Sequence, residues 1–311
     1  MSQNSTSNPV TTAISTEPIS IPMTSNDPST PFVVLMSLLP KNLISFITGW
    51  LARLKLPEPL QRTLNGAFVG AFKINMNEAE LGLSDYKSIE DVFTRKLKAG
   101  LRTIQGKLVS PADGFLARSG PIKAGQLIQA KGLTYDAREL VFGGYNVAAP
   151  LRDYSWFTTV YLAPHNYHRV HSSVSGRLTC IRHLPANLWP VNLPFVENLP
   201  RLFCRNERLV FDIETEDGGV VHAVMVGAFN VGRMETPHLK EFATNEWESN
   251  SNPQPKEFRL NPAIELKAGD ELGTFLLGST VVLVFDQKAA VQFQPVQAEG
   301  NKPILMGQAL S

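Results

Sequence analysis

The chain has 311 residues, of which 43% are apolar and 18% are charged, so it carries enough apolar side chains to build a large core. This composition excludes a fibrous protein and one that is disordered throughout. The 29 basic and 28 acidic residues nearly cancel, which argues against a nucleic-acid partner. Two cysteines, Cys180 and Cys204, are too few for a disulfide framework, and we expect both to be buried thiols.

The first thirty residues differ in composition from the rest of the chain. Twenty of them are Ser, Thr, Pro or Asn, and only Glu17 and Asp27 are charged. Such a segment has too little apolar surface to fold, so residues 1–30 are predicted to be a disordered tail. No basic residue precedes Lys41, whereas a secretory signal begins with basic residues, and the amino terminus is therefore expected to remain in the cytosol.

Residues 31–100 are predicted to be a helical region. Apolar side chains recur at helical spacing from Leu43 to Leu54, but Lys41 interrupts the apolar run before it is long enough to span a bilayer. Two interpretations are open. The helix could lie in a membrane interface with Ile47 and Trp50 in the lipid, or it could be an ordinary helix with its apolar face in the core.

A second helix is predicted to begin at Ser88, which can cap it with Asp91 three residues later, and to end at Gly100. Beyond it, short runs rich in Val, Ile, Phe and Thr alternate with turn-forming clusters, which is typical of antiparallel strands. Residues 245–261 are expected to be a loop. The fold class predicted is α+β, in which amino-terminal amphipathic helices precede a mostly antiparallel, β-rich catalytic domain over residues 101–311.

Two segments carry side chains suited to proton transfer. SPADG places Asp113 in a turn before a strand, although an Asp before a Gly is usually only a turn former. PHNYHRVH contains His165, His168 and His171, three of the six histidines in the chain. Because histidine exchanges protons near neutral pH, this cluster indicates an acid–base pair. A metal site, or histidines bonded only to the backbone, would fit it too.

A third segment, LGST, separates two strand-like runs at Gly278 and Ser279. A hairpin turn or a β-bulge would explain it. Alternatively, the Ser279 hydroxyl attacks the preceding carbonyl once a base removes its proton. The resulting ester can eliminate to dehydroalanine, which then becomes a pyruvoyl group. The residues alone leave both interpretations open.

Five motifs together resemble those of bacterial phosphatidylserine decarboxylase proenzymes. They occur in matching order: SPADG at Ser110, YHRVH at Tyr167, NERLVFDIET at Asn206, GAFNVG at Gly227 and LGST at Leu277. The resemblance extends from about Val34 to about Leu310. It implies conversion of phosphatidylserine to phosphatidylethanolamine and CO2 through a Schiff base. The cofactor it implies is a covalent pyruvoyl group, made from Ser279 by autocatalytic cleavage after Gly278.

The resemblance also implies roles for individual residues. Asp113, His171 and Ser279 match the family's self-cleavage triad, in which Asp113 orients His171 and His171 takes the proton of Ser279. His168 matches the residue used in decarboxylation, where it would position the substrate carboxylate or protonate the carbon that CO2 leaves. His165 lies outside the matched motif, so it is assigned no role.

Cleavage would give a β chain, 1–278, and an α chain, 279–311, that remain together as a heterodimer; the number of such units is left open. Because the acyl chains of phosphatidylserine stay in the bilayer, the resemblance favours membrane docking by residues 31–100, at the cytoplasmic face of the cell membrane. Tyr161 is a candidate pocket residue, although core packing explains it equally well. Three rival classes stay open: a carrier module, a metal-dependent hydrolase, and a pyruvoyl enzyme for a soluble amino acid.

Overall fold

The computed structural model describes residues 10–13, 31–144, 152–230, 233–246, 253–276 and 279–311, with only the backbone of Ser279. Its helices are α1 (Pro31–Leu38), α2 (Lys41–Ala52), α3 (Glu58–Phe72), α4 (Ile89–Phe93), α5 (Ala137–Phe142), α6 (Leu193–Asn198), α7 (Leu202–Arg205) and α8 (Gln287–Phe293), with a 3-10 turn at Leu83–Asp85. Its strands are β1 (Val10–Ala13), β2 (Gly114–Pro121), β3 (Gln126–Ala130), β4 (Leu133–Asp136), β5 (Tyr154–Leu162), β6 (Arg169–His171), β7 (Gly176–Leu184), β8 (Arg208–Glu214), β9 (Val220–Val226), β10 (Met234–Glu235), β11 (Lys256–Leu266), β12 (Glu271–Phe275), β13 (Ser279–Asp286) and β14 (Ala298–Ile304). Helices that precede a large antiparallel sheet confirm the predicted α+β class.

A nine-stranded antiparallel sheet is the frame of the fold, in the order β1-β11-β7-β8-β9-β13-β5-β2-β14. Strand β13 comes from near the end of the chain but lies in the interior of this sheet, between β9 and β5. Both of its faces are covered: Val281 and Leu283 lie in one core cluster, and Val282 and Val284 lie in another. Burial on both sides explains why this strand is continuously apolar from Val281 to Phe285 instead of alternating.

The two faces of the large sheet pack against different layers. On one face lies a three-stranded sheet, β10-β12-β6, whose Met234, Leu272 and Val170 share a core with Leu283 of β13. Helices α1, α5, α6 and α7 supply the apolar side chains on the other face, together with a small β3-β4 hairpin. Both cysteines are buried free thiols, as expected.

Two local expectations needed correction. The Ser88 hydroxyl caps α4 as predicted, accepting a hydrogen bond of 3.0 Å from the Asp91 amide. The helix ends at Phe93 and not at Gly100, because the chain beyond it bonds to residues 78–80 in an extended arrangement. The loop predicted for residues 245–261 is wrong from Lys256 onward, because β11 begins there and pairs with β7.

One short strand lies inside the predicted amino-terminal tail. Val10–Ala13 form β1 and pair with the first residues of β11 at the edge of the large sheet. The rest of residues 1–30 lies outside the described part of the chain, so the disordered tail stays a prediction.

Helix α2 turns its small and polar side toward the protein. Lys41, Ser45 and Gly49 are buried, whereas Ile47 is 47% exposed and Trp50 is 53% exposed. The interpretation as a core-facing helix required Ile47 and Trp50 to be buried and the polar side to be exposed. In the described ranges, no helix combines the length and the apolar character needed to cross a bilayer.

Helix α3 has the same inverted arrangement. It buries Gln61 and Asn65, and the Gln61 side-chain amide donates a 2.8 Å hydrogen bond to Asn65. Asn65 in turn donates to the Tyr86 carbonyl at 3.0 Å. Leu60 and Leu64 are exposed. Two consecutive helices therefore present apolar side chains to the outside while polar groups hold them to the protein.

The start of β2 generates a stability prediction. A Cβ at Gly114 would lie 2.2 Å from the Tyr161 carbonyl oxygen, whereas one at the exposed Gly70 of α3 would meet no atom within 4 Å. Overpacking of this kind costs about 1–3 kcal/mol, so Gly114→Ala should lower the free energy of unfolding by about 2 kcal/mol. Gly70→Ala should be neutral or stabilise by up to about 1 kcal/mol. Urea denaturation measures both, and equal effects would contradict the close approach at Gly114.

Candidate active site

The turn that carries Asp113 lies against the carboxyl-terminal segment of the chain. The Ser110 amide donates to the Gln308 carbonyl at 2.8 Å, and the Ser110 carbonyl accepts from the Gly307 amide at 3.0 Å. Gly307 has a φ of +87°, and a Cβ there would lie 2.4 Å from the Thr103 carbonyl oxygen, so glycine is required. The predicted β chain and α chain therefore meet at this turn.

Asp113 is buried, and its carboxylate is held by an arginine. The Arg102 Nε donates to Asp113 Oδ1 at 2.8 Å, and a second guanidinium nitrogen bonds the other carboxylate oxygen. The Met306 amide also donates to Oδ1 at 2.8 Å. Arg102 reaches Glu78 as well, at 2.7 Å. Its bonds to Asp113 and Glu78 raise the pKa of Arg102, so the guanidinium remains a permanent counter-charge for Asp113.

His171 is held at both ring nitrogens. Its Nδ1 lies 2.7 Å from the Gly269 carbonyl oxygen, which can only accept, so Nδ1 carries the hydrogen. Nε2 of the neutral ring then accepts from the Tyr167 hydroxyl at 3.0 Å. Burial lowers the pKa of His171, and the nearby negative charges of Glu271 and Asp113 counter this only in part. His171 is therefore a neutral base with a defined tautomer.

The structure brings the two motifs together through the backbone. The His171 amide donates to the Pro111 carbonyl at 2.8 Å, two residues before Asp113. Their side chains bind different partners: Asp113 binds Arg102, and His171 binds Gly269. Nowhere in the described ranges do three His, Cys, Asp or Glu side chains gather in a way that could hold a metal ion.

His168 is fully buried, and its imidazole stacks on Phe93 with the ring centroids 3.9 Å apart. Within the described residues, neither of its ring nitrogens has a hydrogen-bond partner, although the Pro164 and Ala163 carbonyls are near enough to favour its charged form slightly. Burial, with the positive charge of Arg95, lowers the pKa of His168 to about 3. The ring is neutral at physiological pH.

The chain on both sides of the predicted cleavage point is held by hydrogen bonds. Upstream, the Phe275 amide donates to the His168 carbonyl at 3.0 Å, and the Leu276 amide donates to the Arg233 carbonyl at 3.0 Å. Downstream, Ser279 begins β13 opposite Leu162 of β5. Gly278 and the Ser279 side chain lie outside the described part, so their contacts with the histidines stay predictions.

Tyr161 lies on β5 opposite Thr280, the residue that follows Ser279. It lines a cavity of about 290 Å³ whose wall also includes Thr280 and Val191. Burial raises the pKa of Tyr161, so its hydroxyl is neutral. The buried Thr280 hydroxyl has no hydrogen-bond partner among the described residues.

Three residues of the site were missed by sequence reasoning. Tyr167 belongs to the YHRVH motif itself, and its position four residues before His171 was an available signal. Arg102 and Phe93 carried no such signal. Arg102 meets Asp113, and Phe93 meets His168, only through tertiary packing. His165, which received no role, offers its backbone carbonyl to Arg95 at 3.1 Å.

Comparison with known proteins agrees with this arrangement of motifs. The family model described as phosphatidylserine decarboxylase matches residues 89–311. A phosphatidylserine decarboxylase proenzyme of Myxococcus xanthus is 36% identical over 271 residues, covering 86% of this chain and 94% of the relative. A proenzyme of the same name from Acidovorax ebreus is 37% identical over 281 residues, covering 88% of this chain and 94% of the relative. The chain belongs to the phosphatidylserine decarboxylase family.

Proposed function

We propose that this chain is a phosphatidylserine decarboxylase proenzyme that cuts itself between Gly278 and Ser279 and then converts phosphatidylserine to phosphatidylethanolamine and CO2. The observation that carries the proposal is the position of His168. The backbone carbonyl of this neutral, buried histidine accepts a hydrogen bond from the Phe275 amide, three residues before Gly278, and its ring nitrogens have no protein partners among the described residues. Such a group is suited to binding a reacting carboxylate.

The proposed products are the β chain 1–278 and the α chain 279–311. The α chain would contribute β13 between β5 and β9, and β14 beside β2. These strand pairings, and the bonds at Ser110, do not involve the cut peptide bond. The two chains would therefore remain bound as a heterodimer after cleavage.

For self-cleavage, we assign the general base to His171. The Gly269 carbonyl fixes its tautomer so that Nε2 is the nitrogen able to take the Ser279 proton. Asp113, held in place by Arg102, supports the resulting imidazolium through its negative charge rather than by a direct hydrogen bond in the uncut chain. Tyr167 occupies Nε2 before the reaction and has to yield that position or pass the proton on.

For decarboxylation, the pyruvoyl group supplies the electron sink that amino-acid side chains lack. The residue next to position 279 fits a small polar group, since the Thr280 hydroxyl is a buried polar atom without a partner among the described residues. Both His168 ring nitrogens are likewise buried and without such partners, so they are free to meet the substrate in this proposal. A neutral His168 has one N–H to donate, so it holds the substrate carboxylate rather than acting as a cationic acid. Tyr161 would line the cavity beside Thr280, the residue that follows the group.

For access to the substrate, we assign α2 and α3 to the membrane surface. Ile47 and Trp50 of α2 and Leu60 and Leu64 of α3 are exposed apolar side chains. Polar side chains on the other side of α2 bond to the protein: Ser45 accepts from the Asn230 amide at 2.9 Å, and Asn42 donates to the Ala186 carbonyl at 3.0 Å. A helix in this orientation gains free energy when lipid covers it. The enzyme would be peripheral, at the cytoplasmic face of the cell membrane.

Two histidine substitutions should separate the two reactions. His171→Ala is expected to remain a single uncut chain, because no base takes the Ser279 proton. His168→Ala should be cut normally and lose decarboxylation by roughly a hundredfold or more, the usual contribution of a positioned acid–base group. Gel electrophoresis measures cutting, and CO2 release from phosphatidylserine vesicles measures turnover. His165→Ala is the control and should do both; an uncut or fully active His168→Ala protein would refute the assignment.

The membrane assignment predicts a loss of vesicle binding in Trp50→Glu. In the proposed complex the lipid covers the Trp50 side chain. Its replacement removes that apolar contact and should weaken vesicle binding about tenfold or more, as judged from the apolar area of the side chain. Val291 on α8 is 63% exposed and serves as the matched position, so Val291→Glu should bind normally. Vesicle co-sedimentation reports binding, and both variants should still cut themselves. Equal binding by the two variants would exclude α2 as the docking helix.

A further inference from the structure

The end of α4 makes contacts through three consecutive residues with the loop that carries His168. The ring of Phe93 stacks on His168, with 21° between their planes. The Thr94 carbonyl accepts from the Arg169 Nε at 3.1 Å. One guanidinium nitrogen of Arg95 donates to the His165 carbonyl at 3.1 Å and to the Asn166 carbonyl at 3.2 Å. The segment therefore fixes the residues on both sides of His168 and the ring itself.

Imidazole rings at reaction centres are usually oriented by a hydrogen bond at the nitrogen that does not react. His171 follows this pattern through Gly269. His168 does not, because neither of its nitrogens has a hydrogen-bond partner among the described residues. The Pro164 and Ala163 carbonyls near the ring make no hydrogen bond of normal geometry to it. Its orientation therefore depends mainly on packing, and Phe93 supplies a flat contact along one face of the ring.

Phe93 is itself held firmly. It is 2% exposed and lies at the end of a helix that Ser88 caps. Phe68 of α3 meets it edge-on, with 6.3 Å between the ring centroids. A ring fixed in this way can fix a second ring stacked on it, because rotation of either would open a void in a packed interior.

Arg95 strengthens the same arrangement electrostatically. It is 4% exposed, and its positive charge contributes to lowering the pKa of His168. A buried guanidinium is costly unless it is hydrogen-bonded, and here backbone carbonyls of the histidine loop are its partners. The loop is therefore tied to a group that also keeps the imidazole neutral.

We propose that Phe93 is a positioning residue for decarboxylation, holding the His168 imidazole in one orientation by stacking so that both ring nitrogens are left for the substrate. This inference rests on the function proposed above and adds a residue to it. Phe93 would act through His168 and has no direct part in cleavage or in substrate binding in this assignment. Loss of its flat ring should therefore slow turnover without preventing maturation.

The test compares Phe93→Leu and Phe93→Tyr with the parent protein. Phe93→Leu keeps an apolar side chain but loses the flat ring, so it should cut itself normally while kcat falls about tenfold to a hundredfold, the effect of misplacing a reacting group by about 1 Å. KM should change less than kcat, because Phe93 acts on one group of the substrate site and has no assigned contact with the lipid. Phe93→Tyr retains the ring and should recover most of kcat.

Phe142→Leu is the matched control, since Phe142 is a buried ring that meets a histidine, His222, which neither reaction uses. It should lose stability without losing kcat. If Phe93→Leu fails to fold, as judged by thermal unfolding, Phe93→Met replaces it with the same expectation. The inference would be overturned if the parent is active and a folded Phe93→Leu or Phe93→Met variant is equally active. It would also be overturned if Phe93→Tyr turns over no faster than Phe93→Leu. A processed parent that releases no CO2 from phosphatidylserine would refute the proposed function instead.

Discussion

The insertion of β13 between β5 and β9 is the constraint on which the rest of the structure depends. A strand near the end of the chain fills the interior of the large sheet, with side chains in the core on both faces. Its first residue, Ser279, is thereby fixed at the end of the sheet, where the Asp113 turn and the histidine loop also lie. A chain broken just before β13 would keep this strand in place, since its ladder hydrogen bonds and buried area do not depend on that peptide bond.

Electrostatics divide the site into two parts. Asp113 lies in an ion-pair network: Arg102 neutralises its carboxylate, and Glu78 binds the same guanidinium. Around His168 the described part of the chain supplies no carboxylate partner, and burial with a nearby arginine keeps the ring neutral. The first arrangement suits a fixed negative charge near His171, the base that we propose. The second suits recognition of a carboxylate that arrives with the substrate, because no carboxylate of the described residues competes for the ring.

Sequence reasoning located Asp113, His168 and His171 because short motifs carry them, and it predicted the strand-rich domain from apolar runs between turn residues. It could not identify Arg102 or Phe93, whose contacts depend on tertiary packing. Helical spacing located α2 but could not say which face is buried, since an amphipathic pattern is the same for a core-facing and a membrane-facing helix. Only the buried positions of Lys41 and Ser45 distinguish the two.

Intact mass spectrometry of the purified protein beside its Ser279→Ala variant, each with and without hydroxylamine, tests the central claim most directly. The account predicts two chains in the parent, separated between Gly278 and Ser279, with a carbonyl group that reacts with hydroxylamine only on the smaller chain. The Ser279→Ala variant should remain a single unreactive chain. A parent that stays uncut, or a variant that is cut at the same bond, would contradict the account.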